Sequence, residues 1–116
     1  MGQTDCIFCR IASRDQDTPL VHEDADTVAF RDINPQAPTH VLIIPRRHIA
    51  SVNALDADDA ELIGKLYLAG RRIAHEGKID ESGYRLVMNS GPDAGQSVDH
   101  IHLHLLGGRP LGWPPG

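Results

Sequence analysis

The chain of 116 residues has only two cysteines, no apolar run of membrane-spanning length and no surplus of positive charge, with 11 Lys and Arg against 16 Asp and Glu. Each scarcity excludes something. A spanning helix needs about 20 consecutive apolar residues, so none is expected and a membrane is not an expected partner. Basic residues gather only in short pairs such as Arg46-Arg47 and Arg71-Arg72 within a net charge of −5. No broad positive surface is available to track a phosphate backbone, so a nucleic-acid polymer is not an expected partner either. A small anion held by backbone amides and a few histidines remains compatible with this balance. The segment Met1-Gly2-Gln3-Thr4-Asp5 lacks the basic region and apolar run of a secretion signal, and the expected location is cytoplasmic. Repeats, low-complexity segments and interdomain linkers are also missing, so residues 1–116 read as one domain with 107–116 as a C-terminal tail. So small a chain buries a limited share of its surface, and dimerisation is a natural supplement.

The two cysteines, Cys6 and Cys9, stand in C-x-x-C spacing. In a reducing compartment a structural disulfide is disfavoured. A redox motif of the thioredoxin kind requires a preceding strand, where this chain has five polar residues. Zinc requires two further ligands, and the seven histidines offer them. Two free thiols are the plain alternative.

Local patterning predicts an α+β domain. Ile7, Phe8 and Ile11 give residues 6–13 one apolar side, the mark of a short helix, which Pro19 is expected to close. Leu20 to Glu23 and Thr27 to Arg31 read as an antiparallel hairpin around Asp24-Ala25-Asp26. The prolines of residues 32–39 exclude regular structure there. His40 to Pro45 is continuously apolar after its histidine, as a central strand covered on both faces would be. Leu62, Ile63, Leu66, Ala69, Gly70, Ile73 and Ala74 recur at helical spacing within residues 56–76, with Asp56, Asp58 and Asp59 at the positive end and Gly77 after the last turn. A strand over Tyr84 to Asn89 follows. The sum is an antiparallel sheet of five strands with one long and one short helix.

The chemistry concentrates in Asp99-His100-Ile101-His102-Leu103-His104-Leu105-Leu106. Alternation predicts a strand with three imidazoles on one face and Ile101, Leu103 and Leu105 packed behind it. An imidazole titrates near neutrality and serves as nucleophile, acid, donor or metal ligand. A strand that merely faces water seldom carries three of them in register.

This segment resembles the H-φ-H-φ-H-φ-φ signature of the histidine triad superfamily, φ being apolar. Ala29-Phe30-Arg31-Asp32-Ile33, Pro35-Gln36-Ala37-Pro38-Thr39-His40, Ile44-Pro45-Arg46-Arg47-His48-Ile49, Gly95-Gln96-Ser97-Val98 and Trp113-Pro114-Pro115-Gly116 extend the likeness to the Hint branch, the nucleoside phosphoramidases. The resemblance implies a homodimer whose two sheets join into one. It implies hydrolysis at the phosphorus of a purine nucleoside 5′-phosphoramidate or related nucleotidyl conjugate, such as adenosine 5′-phosphoramidate, through a covalent nucleotidyl-histidine that releases nucleoside monophosphate. By that likeness His102 is the nucleophile, His104 a donor to phosphate oxygen and His40 a partner in proton movement. Asn89, Gly95 and Ser97 match the donors around the phosphate, with Ser97 near the leaving group and Gln96 in the same nucleotide-binding loop. Asp32 matches the ribose-binding carboxylate, and Ile7, Phe8, Ile11 and Ile33 match the apolar slot for the base. An apolar slot reads bases weakly, so adenosine and guanosine are both expected to be accepted.

The resemblance also implies a structural, non-catalytic zinc held by Cys6, Cys9, His48 and His100, a closed tetrahedral set. His22 and His75 match nothing and read as solvent-facing. Trp113 either pins the tail to its own domain or packs on the partner subunit near the nucleotide. Two other classes compete: a zinc hydrolase in which the triad itself binds metal, and a nucleotide-binding interaction protein whose catalysis is incidental.

Overall fold

The computed structural model describes residues 6–116, so the reading of Met1 to Asp5 lies outside it. In chain order the elements are α1 (Ile7–Ala12), β1 (Leu20–Glu23), β2 (Thr27–Arg31), β3 (Thr39–Pro45), α2 (Ala60–Glu76), β4 (Tyr84–Met88) and β5 (Leu103–Gly107). The strands form one five-stranded sheet in the order β1-β2-β3-β5-β4, with every neighbouring pair antiparallel. β3 lies in the middle, and Val41 to Pro45 are all buried, as its continuous apolar run requires.

Strand alternation sends side chains to two separate cores. Val41, Ile43, Leu103 and Leu105 pack with Leu66, Ala69 and Ile73 of α2. Leu42 and Ile44 pack with Phe8 and Ile11 of α1. The long helix therefore covers one face and leaves the other to α1, which is too short to cover all of it.

The start of α2 differs from the expected continuous helix over residues 56–76. Ala57–Asp59 form a 3-10 turn, and α2 proper begins at Ala60. The reason is a reciprocal cap: the Asp56 side chain accepts from the Asp58 N–H at 3.0 Å, and Asp59 accepts from the Asp56 N–H at 3.0 Å. Asp59 is buried and also pairs with Arg47. Asp59→Ala should cost about 1–2 kcal/mol, in the range of lost helix caps. Urea unfolding checks this, and an unchanged midpoint would remove the cap from the account.

Three further expectations are corrected. α1 ends at Ala12 with Ser13 as its cap, and Arg14 turns the chain at φ 69°, well before Pro19. His22 is half-buried rather than solvent-facing, its Nε2 lying 2.9 Å from the Asp24 carboxylate. β5 begins at Leu103, so His100 and His102 precede the paired strand. The alternation nevertheless persists through them, because Ile101, Leu103 and Leu105 are all fully buried in the α2-side core.

Candidate functional site

His40, Leu42 and Ile44 point to the α1 side of β3, and β5 pairs with β3 so that His104 stands opposite Leu42. His40 and His104 are thus diagonal neighbours on one face, within reach of each other. Their rings meet, with His40 Nε2 2.9 Å from His104 Nδ1. The backbone N–H of Gln36 donates to His40 Nδ1 at 3.0 Å. An amide N–H can only donate, so neutral His40 carries its proton on Nε2 and hands that hydrogen bond to His104 Nδ1. Neutral His104 then keeps its own proton on Nε2. Asp32 Oδ2 lies 3.4 Å from His40 Nε2, while its Oδ1 accepts from the Asn34 N–H at 2.9 Å.

His102 is set by the same logic. Its Nδ1 lies 2.8 Å from the His100 carbonyl, which can only accept. The proton therefore sits on Nδ1, and the lone pair of the neutral ring is left on Nε2. Phe8 packs edge-on against this ring with centroids 5.2 Å apart.

Burial lowers the pKa of His40 against the opposing pull of Asp32. For His104, burial first, then repulsion from His102 and His40, push it down to about 4. Both rings are held neutral at pH 7. The unfolded chain takes up these protons near the ordinary 6.5. Between that value and about 4 the unfolded state binds more protons than the folded one, so stability should fall as pH falls through this window. Urea unfolding at pH 7.0, 5.5 and 4.5 (steps of roughly 1 to 1.5 units through most of the window) should show a declining midpoint, and a shallower decline in His104→Gln. A midpoint independent of pH would contradict the neutral, buried pair.

A cavity of about 400 Å³ opens on this face, within the size range of small-molecule sites. His102, His104, Asp32 and Ser97 line it together with Ile7, Phe8, Ile11 and Ile33. Ile33 sits at the rim, fully exposed. Sequence reasoning missed Phe30, Leu42 and Val98 in the lining, although the alternation that placed His40 also places Leu42 on this face. Gln16, Thr18 and Arg31 line it as well; Gln16 and Thr18 come from the irregular segment after α1, which carries no periodic signal.

Four expected nucleotide-binding residues are absent from that lining: Asn89, Gly95, Gln96 and Trp113. Asn89 follows directly on β4. The Gly95 N–H closes a 3-10 turn onto Pro92 at 3.0 Å, and its φ of 80° suits glycine. Gln96 braces the loop, its side chain accepting from the Gly91 N–H at 2.9 Å and donating to the Ala50 and Val98 carbonyls at 2.6 and 3.1 Å. With its amide groups so engaged, Gln96 shapes the loop that carries Ser97. Trp113 is 83% exposed and so does not pin the tail to its own domain.

Behind the cavity Cys6, Cys9, His48 and His100 bring their ligand atoms within 4.8 Å of one another. His100 Nδ1 lies 3.4 Å from Cys6 Sγ and 3.5 Å from Cys9 Sγ, and His48 Nδ1 lies 3.3 Å from Cys9 Sγ. A tetrahedral zinc bound at about 2.3 Å to sulfur and 2.0 Å to nitrogen has sulfur-to-nitrogen edges of about 3.5 Å. The donors match that spacing. His100 Nε2 donates to the Pro45 carbonyl at 2.9 Å, which leaves Nδ1 as the ligating nitrogen, and the Cys9 N–H reaches Cys6 Sγ at 3.4 Å. Burial, then the hydrogen bond and charge of Cys6, push the Cys9 thiol up to about 11, as expected of thiols crowded without a cation. Asp32, His40 and His104 form a second group of metal-capable atoms, but two of those atoms already share a hydrogen bond with each other.

The HIT domain family model matches residues 13–111. The chain is 48% identical over 106 residues to the purine nucleoside phosphoramidase of Escherichia coli strain K12, covering 91% of this chain and 89% of that protein. A HIT family hydrolase from Legionella pneumophila superposes with a TM-score of 0.94 at 50% identity, over 97% of this chain and all of that one. A zinc-bound histidine triad family protein from Mycobacterium smegmatis superposes with a TM-score of 0.80 at 32% identity, over 93% of this chain and 78% of that one.

Proposed function

Given that the chain belongs to the HIT domain family, we propose that it hydrolyses purine nucleoside 5′-phosphoramidates and related nucleotidyl conjugates through a nucleotidyl-His102 intermediate. The observation that carries this reading is the lone pair of His102 Nε2, left free by the bond from Nδ1 to the His100 carbonyl, in a cavity with Asp32 and an apolar slot. The base enters between Ile7, Phe8, Ile11 and Ile33, and the Asp32 carboxylate accepts from the ribose hydroxyls. His102 Nε2 attacks phosphorus, the phosphorus–nitrogen bond breaks, and the departing amine takes a proton relayed from solvent through Ser97, a proton that solvent regains when water is split in the second step. Water then attacks the phosphorus, breaks its bond to His102 and yields the nucleoside monophosphate. Splitting one displacement into two easier ones is the gain of a covalent route. His104, its proton on Nε2, donates to a nonbridging oxygen where charge accumulates, and His40 holds that tautomer in place.

Zinc, when bound by Cys6, Cys9, His48 and His100, would fasten α1 to the ends of β3 and β5. With four protein ligands it supplies structure and no open position for substrate. As in the family resemblance, two chains would pair across a free edge of the sheet such as β4, with the exposed Trp113 carried toward the partner. A light-scattering mass of one chain would refute the pairing.

The deciding experiment is a single-turnover reaction of the purified protein with adenosine 5′-phosphoramidate, quenched in denaturant and read by peptide mass spectrometry. An adenylyl mass on the peptide containing His102 is the expected result. Nucleotide binding without release of adenylate would favour the interaction-protein reading instead.

A further inference from the structure

The tail contains a charged group that the reaction does not use. Arg109 donates to the Gln36 carbonyl through both Nε and Nη2, at 3.2 and 2.8 Å, and to the Pro110 carbonyl through Nη1 at 2.9 Å. Gln36 is the residue whose backbone N–H fixes the tautomer of His40. Its remaining polar groups hold a tight loop, because the Gln36 side chain donates to the Asn34 carbonyl at 3.1 Å. The guanidinium therefore anchors the carbonyl of Gln36, the residue whose N–H bonds His40.

A separate observation shows that the tail is fitted to this place. Gly108 has a φ of 91°, and a Cβ built on it would stand 2.9 Å from Pro38 Cβ. Only glycine permits both that backbone conformation and that approach. The chain is pressed against Pro38 one residue before Arg109. Downstream, Arg85 donates to the Gly112 carbonyl at 2.9 Å, so the tail is held on both sides of the arginine.

We propose that Arg109 is a positioning residue for the His40–His104 pair, acting through the backbone of Gln36. The planar fork delivers two converging hydrogen bonds to one carbonyl oxygen, which fixes orientation better than a single flexible donor would. With Gln36 held, its N–H stays on His40 Nδ1, the His40 proton stays on Nε2, and His104 Nε2–H stays directed to the substrate. With Gln36 released, His40 loses the donor that selects its tautomer. His104 Nδ1 then accepts a hydrogen bond from His40 only part of the time. Arg109 itself is exposed and touches no reacting atom, so its removal should leave the fold intact.

The consequence for rate rests on the proposed phosphoramidate hydrolysis, whereas the consequence for His40 does not. Arg109→Ala and Arg109→Lys should each be compared with wild type by nitrogen-15 NMR of the imidazoles and by steady-state kinetics on adenosine 5′-phosphoramidate. In wild type His40 should show one tautomer, protonated at Nε2. In Arg109→Ala the signals should become those of a mixture, with kcat lowered roughly tenfold and KM changed less than about twofold. Arg109→Lys, offering one donor to the same carbonyl, should recover part of both. A single unchanged His40 tautomer in Arg109→Ala would overturn the proposal, as would a kcat equal to wild type. Absence of any turnover in wild type would refute the hydrolase reading, while the NMR comparison would still test Arg109.

Discussion

His102→Ala should lower turnover of adenosine 5′-phosphoramidate by on the order of 10³-fold or more, while nucleoside monophosphate still binds. The variant removes the proposed nucleophile and with it the proposed covalent route. It leaves Asp32, Ser97 and the apolar slot where they are, because the hydrophobic positions flanking residue 102 pack into the other core. The loss should therefore fall on kcat, with binding measured by calorimetry changed little. The adenylyl peptide expected in wild type should vanish. Brisk turnover in the variant would place the nucleophile elsewhere, and an unfolded circular dichroism spectrum would mean that the ring is needed for the fold itself. His104→Gln tests the complementary role and should lower kcat by a smaller factor, since one charge-stabilising donor is worth about 10²–10³-fold.

The second large effect concerns the metal ligands. Replacing Cys6 and Cys9 together by serine should abolish zinc retention, measured by elemental mass spectrometry, and lower the thermal midpoint by on the order of 10 °C. α1 buries Phe8, Ile11 and Ala12 and little else, so a short helix depends heavily on any tie to the sheet. The Cys6 and Cys9 thiols reach His48 and His100 from that helix. Because Ile7, Phe8 and Ile11 of α1 also line the cavity, KM should rise more than kcat falls. Loss of zinc with neither the midpoint nor KM altered would show that the ligands are dispensable for the fold. Loss of kcat alone, with a full complement of folded protein, would favour a catalytic metal.

Much of the architecture was legible because it depends on local pattern. The hairpin strands Leu20–Glu23 and Thr27–Arg31 coincide with the expected ranges, since short alternating segments around Asp24 admit few other arrangements. The central strand needed only its unbroken apolar run. Misreadings fell where side chains compete with the backbone: the reciprocal Asp56 and Asp59 cap converted a helical turn into a 3-10 turn, and Arg14 ended α1 before proline could. His22 was misplaced because its neighbour Asp24, which turns the hairpin, also holds the imidazole.

The sequence by itself determined the identity and spacing of the reactive groups: three histidines at alternate positions, a C-x-x-C pair and Asp32 before a proline-bearing loop. Periodicity sends His102 and His104 one way and Ile101, Leu103 and Leu105 the other, whatever the rest of the chain does. Tertiary structure decided what two of the three imidazoles are, while His102 takes its tautomer locally from the His100 carbonyl two residues before it. The other two are set by partners far away in the chain: His104 by His40, 64 residues earlier, and His100 by the Pro45 carbonyl, 55 residues earlier. Those bonds exist only once β5 has paired with β3. A row of like residues thereby becomes three different rings, one presenting Nδ1 to two thiols, one with a free Nε2 lone pair and one with its proton on Nε2, because burial and hydrogen bonding set the proton on each ring.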